Sequence, residues 1–223
     1  MYFNSGYLLV VLISMVLGGI TQAYIKSTYN KWSRVRSGLG STGADVARRM
    51  LNEGGAANVG ITRVAGTLTD HFDPRDMSLH LSNDNYQGGS VASVAVACHE
   101  AGHAIQTAQD YAPGQFRTAL VPIVSISQQA WPLVFFAGAF MGLVGMMRLA
   151  VILFAATVLF QLVTLPVEID ASRRAISYLS GTMAGEELAG AKQVLIAAAL
   201  TYVAAALVSI INLLYLMSRV RRR

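Results

Sequence analysis

The stretch His99-Glu100-Ala101-Gly102-His103 decides how the rest of the chain is interpreted. Two histidines four positions apart on a helix project from one face, so their rings can converge on a single metal ion. Glu100 lies about 100° further around the helix than His99, where its carboxylate can take a proton from water without filling a ligand position. The stretch therefore predicts a helix with two zinc ligands, His99 and His103, and a general base, Glu100.

A chain of this composition is expected to contain the His-Glu-x-x-His pattern by chance only roughly 0.002 times, so the pattern is specific. A catalytic zinc ion usually has three protein ligands and one open position. Downstream candidates for the third ligand are Glu168, Asp170, Glu186 and Glu187, and His71 and His80 precede the helix. Glu168 is preferred because it ends an apolar run, where a carboxylate needs a partner. Spacing alone equally allows it to pair with Arg173 or Arg174.

The composition predicts an integral membrane protein. Hydrophobic residues make up 54% of the chain and charged residues 13%, and the mean hydropathy is +0.48. The 17 basic residues outnumber the 12 acidic ones, but they flank apolar runs, which favours membrane orientation over nucleic-acid binding. The single cysteine, Cys98, excludes an internal disulfide, and its small apolar neighbours predict buried packing.

Charge distribution divides the chain into five segments. Residues 1–25 are an uncharged first span, which lacks the basic start of a signal peptide, and 26–117 form a small soluble α+β unit. Residues 118–167 form a two-span hairpin with its tip near Met146 to Arg148. Its early part, Thr118 to Ala130, is expected at the interface or against the soluble unit, because prolines and glutamines interrupt it. Residues 168–192 are polar and carry the third ligand, and 193–223 are the last span with a basic tail.

Local signals place helices and strands in the soluble unit. Ser41 or Thr42 caps a helix that runs to about Glu53 and stops at Gly54, and Ser90 caps the helix that carries the two histidines to about Gln106. A β-hairpin is predicted between Val59 to Asp70 and Met77 to Ser82, around the turn Asp73-Pro74-Arg75-Asp76.

The chain resembles the YugP-like family of neutral zinc metallopeptidases of bacterial membranes, over nearly its whole length. The resemblance rests on Ser41 to Ala44, Leu68 to Arg75, His99 to Gln106 and Leu165 to Ala175. It implies a mainly α membrane protein with about four transmembrane helices and a small zincin-like unit at the membrane surface, made of a β-hairpin and the His-Glu-x-x-His helix. It also implies that the protein lies in the cell membrane and binds one Zn²⁺ per chain. The implied activity is hydrolysis of protein or peptide substrates, including membrane-associated ones.

A more distant similarity is to CAAX prenyl proteases and bacterial heat-shock membrane proteases, in which Glu-x-x-Ala-Asp follows the histidine pair. Here the run is Glu168-Ile169-Asp170-Ala171-Ser172, which implies that Glu168 is the third ligand. The relatives' aspartate, expected to orient a ligating histidine, is replaced by Ser172, so Ser172 or Asp170 is expected to substitute, with Arg173 beside them.

Two histidines of the soluble unit have open roles. The resemblance implies that the hairpin with His80 holds substrate as an added strand. His71 is read as part of a hydrogen-bonded turn, with transition-state donation as the alternative.

Rival functions are a site-2-type intramembrane protease and a non-catalytic membrane scaffold. The first places its histidine pair inside a span, whereas the apolar run before His99 is short. Only a demonstration of catalytic turnover excludes the non-catalytic scaffold. Whether the protein forms a homo-oligomer or works with a membrane partner is left open.

Basic residues near the span ends predict a cytoplasmic active site. The active-site side has eight: Lys26, Lys31, Arg34, Arg36, Arg117, Arg173, Arg174 and Lys192. The other side has five, which are Arg148 and the tail residues Arg219, Arg221, Arg222 and Arg223.

Overall fold

The computed structural model describes residues 5–221, which are mostly helical and contain one small sheet. Four helices are long and apolar enough to cross a membrane, as predicted: α1 Ser5–Trp32, α5 Ala112–Met141, α6 Val144–Ser180 and α7 Gly185–Arg221. Three shorter helices, α2 Gly43–Glu53, α3 Asn83–Gln87 and α4 Val91–Ala108, accompany the strands β1 Gly60–Val64, β2 His71–Asp73 and β3 Ser78–Ser82. The part of the predicted first span that lies at residues 1–4 is outside the described residues.

The chain divides into two compact units. One is built from the described parts of Met1–Thr21, Phe116–Leu165 and Thr201–Arg223. Trp131, Phe154, Val158 and Leu216 pack together in it, and the rings of Trp131 and Phe154 are 4.7 Å apart. Many large apolar side chains of this unit are exposed, with Phe140 94% accessible, as expected where lipid replaces water.

The turn between the two middle spans differs from the expectation. It lies at Gly142 and Leu143, between the end of α5 and the start of α6, and not at Met146 to Arg148. Gly142 has a φ of +71°, a conformation that glycine adopts without the strain a Cβ would cause. The segment Thr118 to Ala130 lies inside the continuous helix α5, despite Pro122. The predicted polar segment 168–192 is also largely helical, since α6 runs to Ser180 and α7 begins at Gly185.

The other unit comprises Gln22–Gln115 and Pro166–Leu200. Its α2 begins where the sequence predicts, because the Thr42 hydroxyl accepts from the backbone N–H of Asp45 at 3.1 Å and the Asp45 carboxylate accepts from the N–H of Thr42 at 3.0 Å. The helix ends at Gly54. Its apolar face packs with β3 and α4 around the buried residues Val46, Leu51, Leu79, Leu81 and Val94.

The sheet has the order β1-β3-β2. The predicted turn at Asp73 to Asp76 joins β2 and β3, which pair antiparallel with His71 opposite His80. The predicted hairpin partner was wrong, however, because β1, from the Val59 to Asp70 segment, pairs parallel with β3. Because β2 has only three residues, it shows no alternating pattern, and the sequence therefore favoured the longer Val59 to Asp70 segment as the hairpin partner of β3.

Candidate metal centre

The centre is built first by α4, which begins at its predicted cap. The Ser90 hydroxyl accepts from the N–H of Ser93, and the helix runs from Val91 to Ala108. Its small side chains are almost fully buried, which allows neighbouring elements to approach its backbone. His99 and His103 lie one turn apart on it, with ring centroids 4.8 Å apart and planes at 82°. Their rings therefore share one face without stacking on each other.

Gly102 brings α6 close to that face. A Cβ at this position would lie 2.7 Å from the carbonyl oxygen of Ala171, closer than real Cβ contacts. Only glycine therefore allows α4 and α6 to meet as they do here. The contact places Glu168, one turn before Ala171 on α6, beside the two histidines.

Three donor atoms converge at this point. One carboxylate oxygen of Glu168 lies 3.3 Å from His99 Nε2 and 3.4 Å from His103 Nε2. The ligand atoms of all three residues lie within 4.8 Å of one another, and Glu168 is only 2% exposed. Nitrogen and oxygen ligands about 2.0–2.1 Å from zinc in a tetrahedron are about 3.3–3.4 Å apart. The donor types and the two separations from Glu168 therefore fit a zinc ion bound by His99, His103 and Glu168.

The electrostatics of His103 reflect the same cluster. Burial disfavours its charged form, but Glu168 and Glu100 nearby and a contact with Gln106 outweigh burial and raise the pKa of His103 above its ordinary value. Without a metal, the neighbouring carboxylates therefore favour the protonated form of this imidazole. A bound cation would take the place of that proton.

Each histidine uses its second ring nitrogen to contact a different partner. Ser172 Oγ lies 3.1 Å from His99 Nδ1, so Ser172 makes the contact that the sequence left in doubt. Gln106 Oε1 lies 3.0 Å from His103 Nδ1. Gln106 is not among the site residues predicted from the sequence, although a glutamine three positions after a histidine on a helix is within reach of its ring.

Glu100 follows His99 on α4 and is 8% exposed. Within residues 5–221, no hydrogen bond or ion pair holds its carboxylate to another side chain. The negative charge of Glu100 helps to raise the pKa of His103. Glu100 is therefore a buried carboxylate on the same helix turn as the two histidines.

The remaining predicted residues lie at varied places. Asp170 contacts Gln106 at 2.9 Å and pairs with Arg174 at 2.6 Å, whereas Arg173 is exposed. Glu168 faces the two histidines, and Arg174 pairs with Asp170.

His71 and His80 stack on the sheet with centroids 4.8 Å apart. His71 contacts the Thr69 carbonyl, and His80 contacts Thr62 and Asp76. Neither contact involves the three converging donors, so their predicted roles with substrate stay predictions.

Cys98 packs in the apolar core next to His99, as its neighbours predicted. Burial raises the pKa of its thiol, which disfavours the reactive thiolate.

Four helices of spanning length and a buried cluster of two histidines and a glutamate define a multi-pass membrane protein with a candidate metal centre. The chain belongs to the family described as "Putative neutral zinc metallopeptidase", whose model matches residues 7–221. It is 41% identical over 210 residues to "Putative membrane protease YugP" of Bacillus subtilis (strain 168), and the alignment covers 93% of each chain. The predicted family is thereby confirmed. No solved structure matches the chain significantly.

Proposed function

We propose that the protein is a zinc-dependent membrane endopeptidase that hydrolyses peptide bonds with an activated water molecule. The observation that carries the proposal is the convergence of His99, His103 and Glu168 within 4.8 Å, with Glu100 on the same turn of α4. The family description and the name of the Bacillus subtilis relative support the reaction class.

The three converging residues would hold one Zn²⁺ per chain. When bound, zinc supplies Lewis acidity that polarises a peptide carbonyl and lowers the pKa of a water molecule. Glu100 accepts a proton from the attacking water, whose oxygen forms the new bond to the carbonyl carbon. Glu100 then gives the proton to the amine nitrogen as the carbon–nitrogen bond breaks. Water is thus divided between the two products, and no covalent link to the protein forms.

The decisive experiment is the change Glu100→Gln in the full chain. A glutamine keeps the size of the side chain but cannot accept the proton. We expect cleavage to fall at least about 100-fold, the lower range for loss of a general base. Zinc content should remain near one ion per chain, because Glu100 is not a ligand. Glu53→Gln, a change of an exposed glutamate on α2, is the matched control and should leave cleavage unchanged.

The measurement compares new peptide ends in membranes that contain the active protein with those in membranes that contain Glu100→Gln. The same comparison identifies the substrates. Unchanged cleavage by the variant would exclude this mechanism. Zinc binding without any cleavage by the natural chain would favour the scaffold over the peptidase. The site-2-type alternative gains no support, since α4 is not one of the candidate spans within residues 5–221.

We also propose that the lipid bilayer and a protein or peptide substrate are the partners, and that residues 26–117 and 168–192 face the cytoplasm. The excess of basic residues near the span ends on that side supports this orientation. With four spans, a tail beyond Arg219 then lies on the opposite side. Alkaline phosphatase, which works only outside the cytoplasm, should be active when fused after Arg223. Activity of a cytoplasmic reporter there instead would reverse the orientation.

A further inference from the structure

The two ends of the Gln106 amide contact groups of opposite chemistry. Gln106 is 3% exposed and lies one turn after His103 on α4. Its Nε2 atom lies 2.8 Å from the carbonyl oxygen of Val167 and 2.9 Å from a carboxylate oxygen of Asp170. Its Oε1 atom lies 3.0 Å from His103 Nδ1.

These contacts allow only one orientation of the amide. The Val167 carbonyl and an ionised Asp170 carboxylate can only accept hydrogen bonds, so the amide NH₂ group has to face them. The amide oxygen is left facing His103, and because that oxygen only accepts, Nδ1 of His103 has to carry the hydrogen. The neutral imidazole then presents its lone pair at Nε2, the atom that faces Glu168.

Arg174 keeps Asp170 in place as an acceptor. Its Nε atom donates to Asp170 at 2.6 Å, and another of its nitrogens donates to the Gln109 side chain at 2.6 Å. A charge-assisted bond of this length holds the carboxylate in one orientation. Hydrogen bonds therefore connect Arg174, Asp170, Gln106 and His103 in series, from a half-buried cation to a buried imidazole.

We propose that Gln106 is a positioning residue that fixes the tautomer of His103, with Asp170 and Arg174 fixing the orientation of Gln106. The proposal rests on the proposed function, because the tautomer matters only if His103 Nε2 binds the metal. Without this contact, neutral His103 would populate both tautomers, and one of them presents N–H to the ion. Outer contacts of this kind typically change metal affinity by about 10- to 100-fold.

The first experiment compares Gln106→Met with Gln109→Met in the full chain in detergent micelles. Methionine keeps most of the side-chain volume but removes both hydrogen-bonding groups. Gln109 is the matched control, since it lies on the same helix and contacts Arg174 and the Gly54 carbonyl and not His103. Competition with a chromogenic chelator should show the zinc Kd of Gln106→Met raised about 10- to 100-fold. The Kd of Gln109→Met should be unchanged. Cobalt bound in place of zinc should give altered visible bands in Gln106→Met alone.

The second experiment exchanges donor and acceptor between the two partners. Gln106→Glu places a carboxylate against Asp170. Asp170→Asn alone puts two amides opposite each other, so the orientation of Gln106 is no longer fixed. Each change should therefore weaken zinc binding. Combined, they put an amide NH₂ beside a carboxylate that still accepts from His103, and part of the affinity should return. Recovery is incomplete because the Val167 carbonyl keeps facing the new carboxylate. A structural role for Gln106 would instead give losses that add.

Nitrogen-15 histidine NMR of the metal-free chain separates this proposal from the proposed function. In metal-free Glu168→Ala, which lacks the carboxylate that competes for a hydrogen at Nε2, neutral His103 should be in the Nδ1–H form and should become a mixture when Gln106→Met is added. This result, together with a natural chain that binds no zinc, overturns the metal site and leaves the positioning role standing. An unchanged tautomer and an unchanged zinc Kd in Gln106→Met would overturn the positioning role alone. Circular dichroism and gel filtration confirm that each variant is folded.

Discussion

Gly102 of α4 lies directly against Ala171 of α6: a Cβ on Gly102 would be 2.7 Å from the carbonyl oxygen of Ala171 and 3.1 Å from its Cα. Both obstacles are backbone atoms, so no side-chain rotation can relieve the clash. The candidate ligands on both sides of this contact are one turn or less away. The close approach of α4 to α6 thus requires that residue 102 has a hydrogen atom where any other residue has a Cβ.

Gly102→Ala should move the two helices apart. Overpacking of this kind costs about 1–3 kcal/mol of the free energy of unfolding, and the zinc Kd should rise because Glu168 moves with α6. Gly114→Ala is the matched control, since its Cβ would meet Tyr111 at an ordinary 3.7 Å. Thermal unfolding and chelator competition measure the two effects. Equal zinc affinity in both variants would show that the close approach does not position Glu168.

Glu168→Gln should remove one of the three metal ligands. A neutral amide binds zinc poorly, so the zinc bound per chain after dialysis should fall well below one. Glu186→Gln is the control, because Glu186 is an exposed residue of the first turn of α7 and was an alternative third ligand from the sequence. Elemental analysis of the purified proteins gives the result. Full zinc retention by Glu168→Gln would assign the third ligand elsewhere.

The affinity for zinc should fall as the pH is lowered, beginning above the ordinary titration range of imidazole. The pKa of His103 is raised, mainly because carboxylates outweigh burial, so the metal-free protein keeps its proton to higher pH. Zinc binds only the neutral ring, and each ion bound must release this proton. Kd measured from about pH 6 to about pH 8 should decrease with rising pH. A Kd that is constant over this range would contradict the raised pKa.

Cys98 should resist thiol reagents in the folded protein. It is fully buried on α4, and burial raises its pKa, so both access and thiolate are lacking. Maleimide labelling should be slow in the native chain and complete after unfolding. Ser177→Cys, which adds an exposed thiol on α6, provides a positive control and should label at once. Fast labelling of Cys98 would indicate that α4 opens readily to solvent.

Local signals in the sequence were sufficient for the elements that position the histidines. Ser90 and Thr42 cap helices where hydroxyl side chains favour helix starts, and Gly54 ends one. The four spans follow from apolar length alone. Each of these features depends on neighbours within a few residues, which is the range over which sequence patterns are informative.

Contacts between distant segments were not accessible in the same way. The parallel pairing of β1 with β3 and the contact of Gln106 with Asp170 join residues that no local periodicity relates. The turn at Gly142 was misplaced because Arg148, the only charged residue between Thr118 and Val167, indicated a tip a few residues later. Glu168 itself was preferred from its depth, but resemblance was needed to favour a ligand role over pairing with Arg173 or Arg174.

The candidate centre joins α4 to a part of α6 that lies beyond a complete two-helix hairpin in the sequence, with 73 positions between His99 and Ser172. During synthesis, a chain that has emerged only through α5 has both histidines but neither Glu168 nor Ser172. The ribosome has to release the whole of that hairpin before the three donors can meet. The candidate metal centre would thus be completed late in synthesis, only after both helices of that hairpin have been made.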